Sequence, residues 1–384
     1  MIYLDNSATT ELCESAKSSI ISSIERFGNP SSLHSLGFEA NKELTQARAI
    51  LMRAILARSG KLIFTSCGSE ASNLALLGTA ESKSRRTASR IITTDSEHPS
   101  VENAMLRLEE MGFEIVRIPT KSGKLDFDFL NSALDKPIFM ASIMLVNNET
   151  GAVYDVGKAF SLIKKKYPSA VCHCDAVQGL FKVKVSPTEL NADYISISGH
   201  KIHAPKGVGA LWVSDRIIKE RLLVPRIHGG GQELGFRSGT ENTIGIFAFA
   251  AAAEEGMKQL SSDIQKMSEL RAYAVKKLAE VSEELKFNLP EKAAPHVLSV
   301  TLPAIKSETM LHFLSSKGIC VSSGSACSSH SNKPSASLVA FGLTPFDADC
   351  TIRVSFSKYN TKEQIDALAA SIKDGLDTLI RIKK

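Results

Sequence analysis

In Ser196-Ile-Ser198-Gly199-His200-Lys201, a lysine stands at the lip of an apolar run, hemmed by a hydroxyl, an imidazole and a glycine. Cationic or apolar neighbours weaken the ammonium form, so such an amine can attack a carbonyl and hold a Schiff base. Lys201 is therefore a candidate anchor for a carbonyl-bearing cofactor, whereas a lone Gly-His-Lys is an ordinary solvated turn. Its company decides between the two. Glu97-His98-Pro99, Asn147-Asn148-Glu149 and Asp175-Ala-Val-Gln178 each close an apolar run, as Ser198 to Lys201 do. They add a carboxylate, Asp175, able to keep a pyridine nitrogen protonated, and an amide, Gln178, able to donate to a phenolic oxygen. They also add a flat ring, His98, able to stack and relay protons. Those are the fittings of a pyridoxal 5'-phosphate site. Taken singly, Asp175 is a turn residue and His98 before Pro99 is a helix start.

A phosphate needs donors. Lys61-Leu-Ile-Phe-Thr65 leads through Ser66-Cys67-Gly68-Ser69-Glu70 into the apolar-periodic Leu74-Ala-Leu-Leu77. A strand, a turn of small residues and a helix start aim free amides at an anion, which makes Gly68 and Ser69 the phosphate candidates. Ser69 also suits an ordinary helix N-cap. Farther on, Ser322-Ser323-Gly324-Ser325-Ala326-Cys327-Ser328-Ser329-His330 is small and polar, and Pro334 bounds it. A cysteine in such a stretch is exposed and able to travel, and its thiolate is an effective nucleophile that a neighbouring imidazole such as His330 encourages. The plain alternative is a small apolar side chain in a serine-rich loop. Arg353, within Thr351-Ile-Arg-Val-Ser355, lies on an alternating strand; it either clamps a carboxylate through two parallel bonds or faces outward.

These residues need a scaffold that gathers strand ends. Residues 2–4, 61–65, 90–93, 113–118, 137–146, 170–174, 194–198 and 209–213 read as short strands, with helical periodicity at 36–55, 99–111 and 127–134. Thr10 is expected to cap a helix that begins near Glu11 and ends at Gly28-Asn-Pro-Ser-Ser32. Apolar strands alternating with helices predict an α/β fold whose mostly parallel sheet is covered on both faces, with ligand-holding residues at the strands' carboxyl ends. After Ala253 an amphipathic pattern from Ile264 to Leu285 leads out of this unit. Strands at 296–302, 319–321 and 351–356 and helices near 308–317 and 363–380 then form a smaller α+β unit. The expectation is a large domain over 15–257 and a small domain of 1–14 with 258–384, the latter carrying a mobile stretch at 322–335.

The 384 residues exceed what one core accommodates, and 43% hydrophobic with 23% charged residues excludes a disordered chain. The net charge of +5 is scattered in groups such as Lys83-Ser-Arg85-Arg86 and Lys164-Lys165-Lys166. These are solvated faces without a nucleic-acid motif, so no direct nucleic-acid recognition is expected. No apolar run reaches membrane-spanning length and Met1-Ile-Tyr-Leu-Asp5 starts no leader-like pattern, which predicts a cytoplasmic protein. The seven cysteines, at 13, 67, 172, 174, 320, 327 and 350, lack framework spacing and read as free thiols. Cys172-His173-Cys174 alternates along an apolar strand with no second pair at zinc spacing; buried thiols are expected there, not a metal site.

Tyr3-Leu-Asp-Asn-Ser-Ala-Thr-Thr10, Gly28-Asn-Pro-Ser-Ser32 and Phe64-Thr-Ser-Cys-Gly-Ser-Glu70 are followed in order by Glu97-His-Pro99, Val146-Asn-Asn-Glu149 and His173-Cys-Asp-Ala-Val-Gln178. Then come Ser196 to Gly209, Gly229-Gly-Gly-Gln-Glu233, Arg237-Ser-Gly-Thr-Glu-Asn242, Ser322 to Cys327 and Ile352-Arg353. In this order the motifs resemble the cysteine desulfurases of the NifS/IscS type, within the class V aminotransferases, over nearly the whole chain. The resemblance implies the aspartate-aminotransferase-like fold (fold type I), with a seven-stranded, mostly parallel sheet in the large domain, and a homodimer. It implies conversion of L-cysteine to L-alanine, with sulfur loaded onto an enzyme cysteine as a persulfide for an acceptor such as an iron–sulfur scaffold or a thiolation enzyme.

Residue by residue, it implies Lys201 as cofactor anchor and mover of the substrate α-proton, with Asp175 and Gln178 on the ring and His98 stacking and shuttling protons. It implies Gly68, Ser69, Ser198 and His200 on the phosphate, with Thr240 reaching it from the other subunit. Asn148 lies by the cofactor and, with Arg353, holds the substrate carboxylate, and Cys327 attacks the substrate sulfur. Departures from the family pattern are Cys67-Gly68 for Gly or Ala, Ser69 for Thr, Ser7 for Ala and His203-Ala204 for Tyr-Gly; none touches this chemistry. The same fold and cofactor also suit a selenocysteine lyase or another lyase or aminotransferase, which need no loop nucleophile.

Overall fold

Strands buried on both faces are apolar almost throughout, and such strands build the centre of this molecule. The computed structural model describes residues 1–82, 88–323 and 334–382. In chain order the first elements are β1 (Ile2–Tyr3), α1 (Glu14–Ser23), α2 (Ser35–Ala54), β2 (Lys61–Thr65), α3 (Gly68–Ala80), β3 (Arg90–Thr94) and α4 (Pro99–Glu110). There follow β4 (Glu114–Ile118), α5 (Phe127–Ala133), β5 (Ile138–Met144), α6 (Val156–Lys166), β6 (Val171–Asp175), α7 (Pro187–Leu190), β7 (Tyr194–Ser198), β8 (Gly209–Val213) and α8 (Asp215–Glu220).

Seven of the strands form one sheet in the order β2-β8-β7-β6-β5-β3-β4. It is the mostly parallel seven-stranded sheet expected from the sequence, with β8 antiparallel to both of its neighbours. Successive side chains point to opposite faces of a strand, and the two apolar layers sort accordingly. Leu62, Ile92, Cys172, Cys174, Ile195 and Ile197 pack with α2 and α6 on one face. Ile63, Ile91, Val171, Tyr194 and Leu211 pack with α3 and α4 on the other. Cys172 and Cys174 are the buried thiols expected, and burial pushes the Cys172 thiol up to about 12.

The second unit begins inside a helix. α9 (Thr243–Val281) runs unbroken for 39 residues, so the amphipathic pattern after Ala253 continues an element that the Asn242 side chain caps through the Gly245 amide. Its buried residues pass from the large core, at Ile246 to Ala253, to a separate core at Met267, Leu270, Ala274 and Leu278. The remaining elements are β9 (Lys286–Asn288), β10 (Val297–Thr301), α10 (Ser307–Ser316), β11 (Ile319–Cys320), β12 (Ser322–Ser323), α11 (Ala336–Phe341), α12 (Pro345–Asp349), β13 (Thr351–Ser355) and α13 (Lys362–Thr378). β12, β13, β10 and β9 form an antiparallel sheet, while β1 pairs with β11. Leu4 joins this second core and Cys13 the first, so the N-terminal segment crosses between them.

Local details differ from the sequence reading. α1 starts at Glu14, after Cys13, because the Thr10 hydroxyl is engaged elsewhere: it donates to the His200 carbonyl at 3.0 Å and accepts from the His203 amide at 2.7 Å. The helices at Ala336–Phe341 and Pro345–Asp349 are too short for periodicity to reveal; what marks them is the capping hydroxyls of Ser335 and Thr344, Pro345 in the first turn and Gly342 as a left-handed C-cap. Among the described residues no helix is long and apolar enough to cross a membrane.

Candidate active site

The carboxyl ends of β2, β3, β5, β6 and β7 open on one cavity of about 360 Å3. Its wall includes Lys201, Asp175, Gln178, His98, Gly68, Ser69, Ser198, His200, Asn148 and Arg353. Ten residues singled out in the sequence, spread from position 68 to 353, therefore meet in one place. Lys201 ends a single helical turn after β7, and its Nζ donates to the carbonyls of Ser7 at 2.6 Å and Ala8 at 2.8 Å.

Asp175 is the last residue of β6. One carboxylate oxygen, Oδ1, accepts from the Val177 amide at 2.9 Å, and burial pushes the carboxyl up to about 6 against the pull of that bond and of the Lys201 charge. Such a group is most easily charged when a cation meets it. Gln178 donates from Nε2 to the Ser7 carbonyl at 2.9 Å, and its Oε1 lies 3.1 Å from His296 Nε2. A primary amide carries a second N–H for a further acceptor.

His98 is the helix-start residue and also stands in the cavity wall. It caps α4, with Nδ1 accepting from the Ser100 amide at 3.1 Å, and it lines the cavity. Burial, then the charges of Lys201 and Arg353, push the imidazole down to about 4. The ring is neutral at pH 7, and the bond accepted at Nδ1 leaves the proton on Nε2.

Gly68 and Ser69 open α3, and the first amides of a helix have no carbonyl one turn back to bond. Cys67, not Ser69, is the N-cap, with Sγ accepting from the Glu70 amide at 3.5 Å. A Cβ at Gly68 would sit 2.6 Å from Val177 Cγ2, so only glycine lets the turn approach this wall. The hydroxyls of Ser198 and Ser7, both on cavity-lining residues, are buried without a partner among the described residues. Ser198 stands against Gly68, and a hydroxyl beside the first amides of a helix suits an acceptor-rich anion such as phosphate. His200 Nδ1 lies 3.3 Å from Thr9 Oγ1, and burial, then Lys201 and Lys206, push this imidazole down to about 4.

Arg353 comes from the second unit. Along β13, Ile352 and Val354 enter the second core, which turns Arg353 toward the cavity; it is 5% exposed, so the outward-facing alternative fails. Nη1 donates to the Asn148 carbonyl at 3.0 Å and Nη2 to Asp5 Oδ1 at 2.8 Å, while the buried Nε has no partner among the described residues. A guanidinium in the cavity wall is a ready partner for a carboxylate ligand.

Two predicted residues are not gathered here. Thr240 is exposed and lies in a separate indentation with Ser66, Arg237 and Asn242. Cys327 and its neighbour His330 lie outside the described residues. The strand leading toward them ends at Ser323 beside the site, for Ser322 lines the cavity opposite Arg353 in register.

The sequence reading missed Asp5 and Ser7, which sit in the Tyr3 to Thr10 motif and receive Arg353, Lys201 and Gln178. It also missed Glu97, which accepts from the Met144 amide at 2.9 Å and from Thr94 Oγ1 at 2.8 Å, and whose carboxyl burial pushes up to about 8. His173 is no ligand: its two ring nitrogens bond the hydroxyls of Ser142 and Ser196, each at 2.8 Å.

The whole chain is similar to known proteins. "Cysteine desulfurase IscS 1" of Archaeoglobus fulgidus is 34% identical over 370 residues, covering 96% of this chain and 95% of that protein. A solved structure described as a NifS-like protein superposes with a TM-score of 0.91 at 35% identity, covering 98% of this chain and all of that one. SspA, solved in complex with cysteine, superposes at 0.79 with 31% identity, over 94% of this chain and all of its own. Residues 2–368 match the family model for class-V aminotransferases, and since that span holds the first unit, most of the second and every cavity residue named above, the chain belongs to the class-V aminotransferase family.

Proposed function

We propose that this protein is a pyridoxal-phosphate-dependent cysteine desulfurase. The observation that carries the reading is the meeting of Lys201 with Asp175 in one cavity, under an arginine delivered by the second unit. Lys201 would hold the cofactor covalently, Asp175 its ring nitrogen, Gln178 its phenolic oxygen and His98 its face. The amides of Gly68 and Ser69, the Ser198 hydroxyl and His200 would hold its phosphate. When bound, the cofactor supplies an electron sink for bonds at the substrate's Cα.

The protein groups do the rest. The guanidinium of Arg353, together with Asn148, orients the substrate carboxylate, while Asp5 keeps that guanidinium from turning. Lys201 takes the α-proton, and the carbonyls of Ser7 and Ala8 hold its amine on the cavity side. Neutral His98 passes protons at Nε2. The thiolate of Cys327 attacks the substrate sulfur: an S–S bond forms, the Cβ–S bond breaks, and its electron pair stays with the carbon. That carbon gains a proton and leaves as alanine, so the substrate carbon is reduced, the sulfur is oxidised and a persulfide remains on Cys327.

The working form is read as a homodimer. Ile21, Phe27, Leu33 and Phe38 are 70%, 82%, 103% and 68% exposed, more apolar surface than one segment of a monomer leaves in water. Across such an interface Thr240 of the partner subunit would reach the phosphate. Free thiols fit the cytoplasm, and the persulfide suits a protein acceptor, an iron–sulfur scaffold or a thiolation enzyme. Purified holoprotein given L-cysteine and a reducing thiol should release alanine and sulfide in equal amounts, and Cys327→Ala should end sulfur transfer while keeping the bound cofactor. Cysteine turnover that survives Cys327→Ala would instead mark a lyase without a loop nucleophile.

A further inference from the structure

The segment that carries Asp175 and Gln178 out of β6 bends round and brings Lys182 to the rear of the Lys201 turn. Lys182 is 8% exposed, and its Nζ donates to the backbone carbonyl of Lys201 at 3.4 Å. Its head group stands outside the substrate cavity, in a small void of about 30 Å3 that Cys13, His203, Glu255, Asp263 and Lys358 also line. That space holds about one water. A buried ammonium is costly unless paired. Asp263, on α9, is the charge that favours it, while burial and Lys358 push it down to about 8. Lys358 is itself held by Glu255 at 2.5 Å and faces Asp263 at 3.9 Å, so the second unit reaches this cluster too.

We propose that Lys182 is a positioning residue for Lys201: it fastens the Lys201 carbonyl to the segment after Asp175, from a void that Asp263 of α9 also lines. The distance between the reactive amine and Asp175 then depends on this tie as well as on the two strands. Were Lys182 only filling space, its methylenes would matter and its head group would not. This inference rests on the role proposed for Lys201.

Three variants test it: Lys182→Met keeps the chain length without the donor, Lys182→Arg keeps the cation, and Asp263→Asn removes the counter-charge. The readouts are backbone amide exchange in the cofactor-free protein, the thermal midpoint, and kcat and KM for L-cysteine in the holoprotein. In Lys182→Met, amides at 199–204 should exchange faster while those of β3 and β5 do not change. The kcat should fall about tenfold with KM unchanged, since a shift of roughly 1 Å in a reacting group costs up to about a hundredfold. Lys182→Arg should restore both, and Asp263→Asn should move both in the same direction by less. Unchanged exchange at 199–204 and unchanged kcat in Lys182→Met would overturn the proposal, as would a rise in exchange spread evenly over the sheet or an arginine variant no better than methionine. If Lys182→Met does not fold, Asp263→Asn decides on the same readouts, unchanged values overturning the proposal. Wild-type protein without cysteine turnover would sink the desulfurase reading alone, because the exchange contrast is read without cofactor.

Discussion

Asp175 shows how a residue placed for chemistry can burden the fold. Burial raises its carboxyl to about 6, above the value of an unfolded chain. Between about pH 4 and 6 the folded cofactor-free protein therefore binds more protons than the unfolded one. The stabilising contribution of this group is complete below about pH 4 and is lost as pH rises through 6. Asp175→Asn keeps an oxygen for the Val177 amide and never ionises. Unfolding free energies of the two cofactor-free proteins from urea titrations should thus diverge in favour of asparagine as pH rises from 4 to 7, by on the order of 2 kcal/mol. A difference that stays flat with pH would contradict this account. The residue types were legible here, since an amine, a carboxylate and an imidazole closing apolar runs point to one chemistry. Asp5 was not, because its partner Arg353 lies 348 positions away and nothing local marks either as half of a pair.

At the scale of elements, the site depends on strand ends being held in register with a helix start. β8 does this for the anion cradle. Gly209 pairs with Ser198 on one side and Thr65 on the other, and a Cβ there would lie 2.6 Å from the Cys67 carbonyl carbon. Gly209→Ala should push the Cys67 backbone and tilt the first amides of α3 away from the cavity. The expected result is a loss of about 1–3 kcal/mol in urea unfolding together with weaker pyridoxal phosphate affinity in a fluorescence titration. Lost stability with full cofactor affinity would separate β8 from the cradle. Short buried strands and long amphipathic helices were readable because their periods are strong. The antiparallel direction of β8 and the continuity of α9 were not. Direction leaves no trace in a fully apolar strand, and a helix passing from one core to another changes its buried face midway.

At the scale of the whole molecule, two cores meet across the cavity: the larger supplies the lysine and the anion cradle, the smaller the arginine. One chain leaves Thr240 away from that cavity and leaves a run of large apolar side chains in water. Phe27→Asp combined with Phe38→Asp should turn a dimer into a monomer by sedimentation velocity at micromolar concentration and weaken cofactor retention at the same time. A wild-type protein that sediments as a monomer would remove the dimer from the account. The change of pattern after Ala253 lies within α9, which passes from one core to the other, whereas the exposed apolar side chains were hidden among ordinary helix letters, because exposure is a property of the assembled surface.

The central claim is that Lys201 is the amine that carries the cofactor. Borohydride reduction of the holoprotein followed by peptide mass spectrometry tests it directly. The predicted result is a reduced pyridoxyl group on the peptide containing Lys201, absent from every other lysine and lost in Lys201→Ala. A label on a different lysine, or a cofactor-bearing protein whose Lys201 remains unmodified, would contradict it.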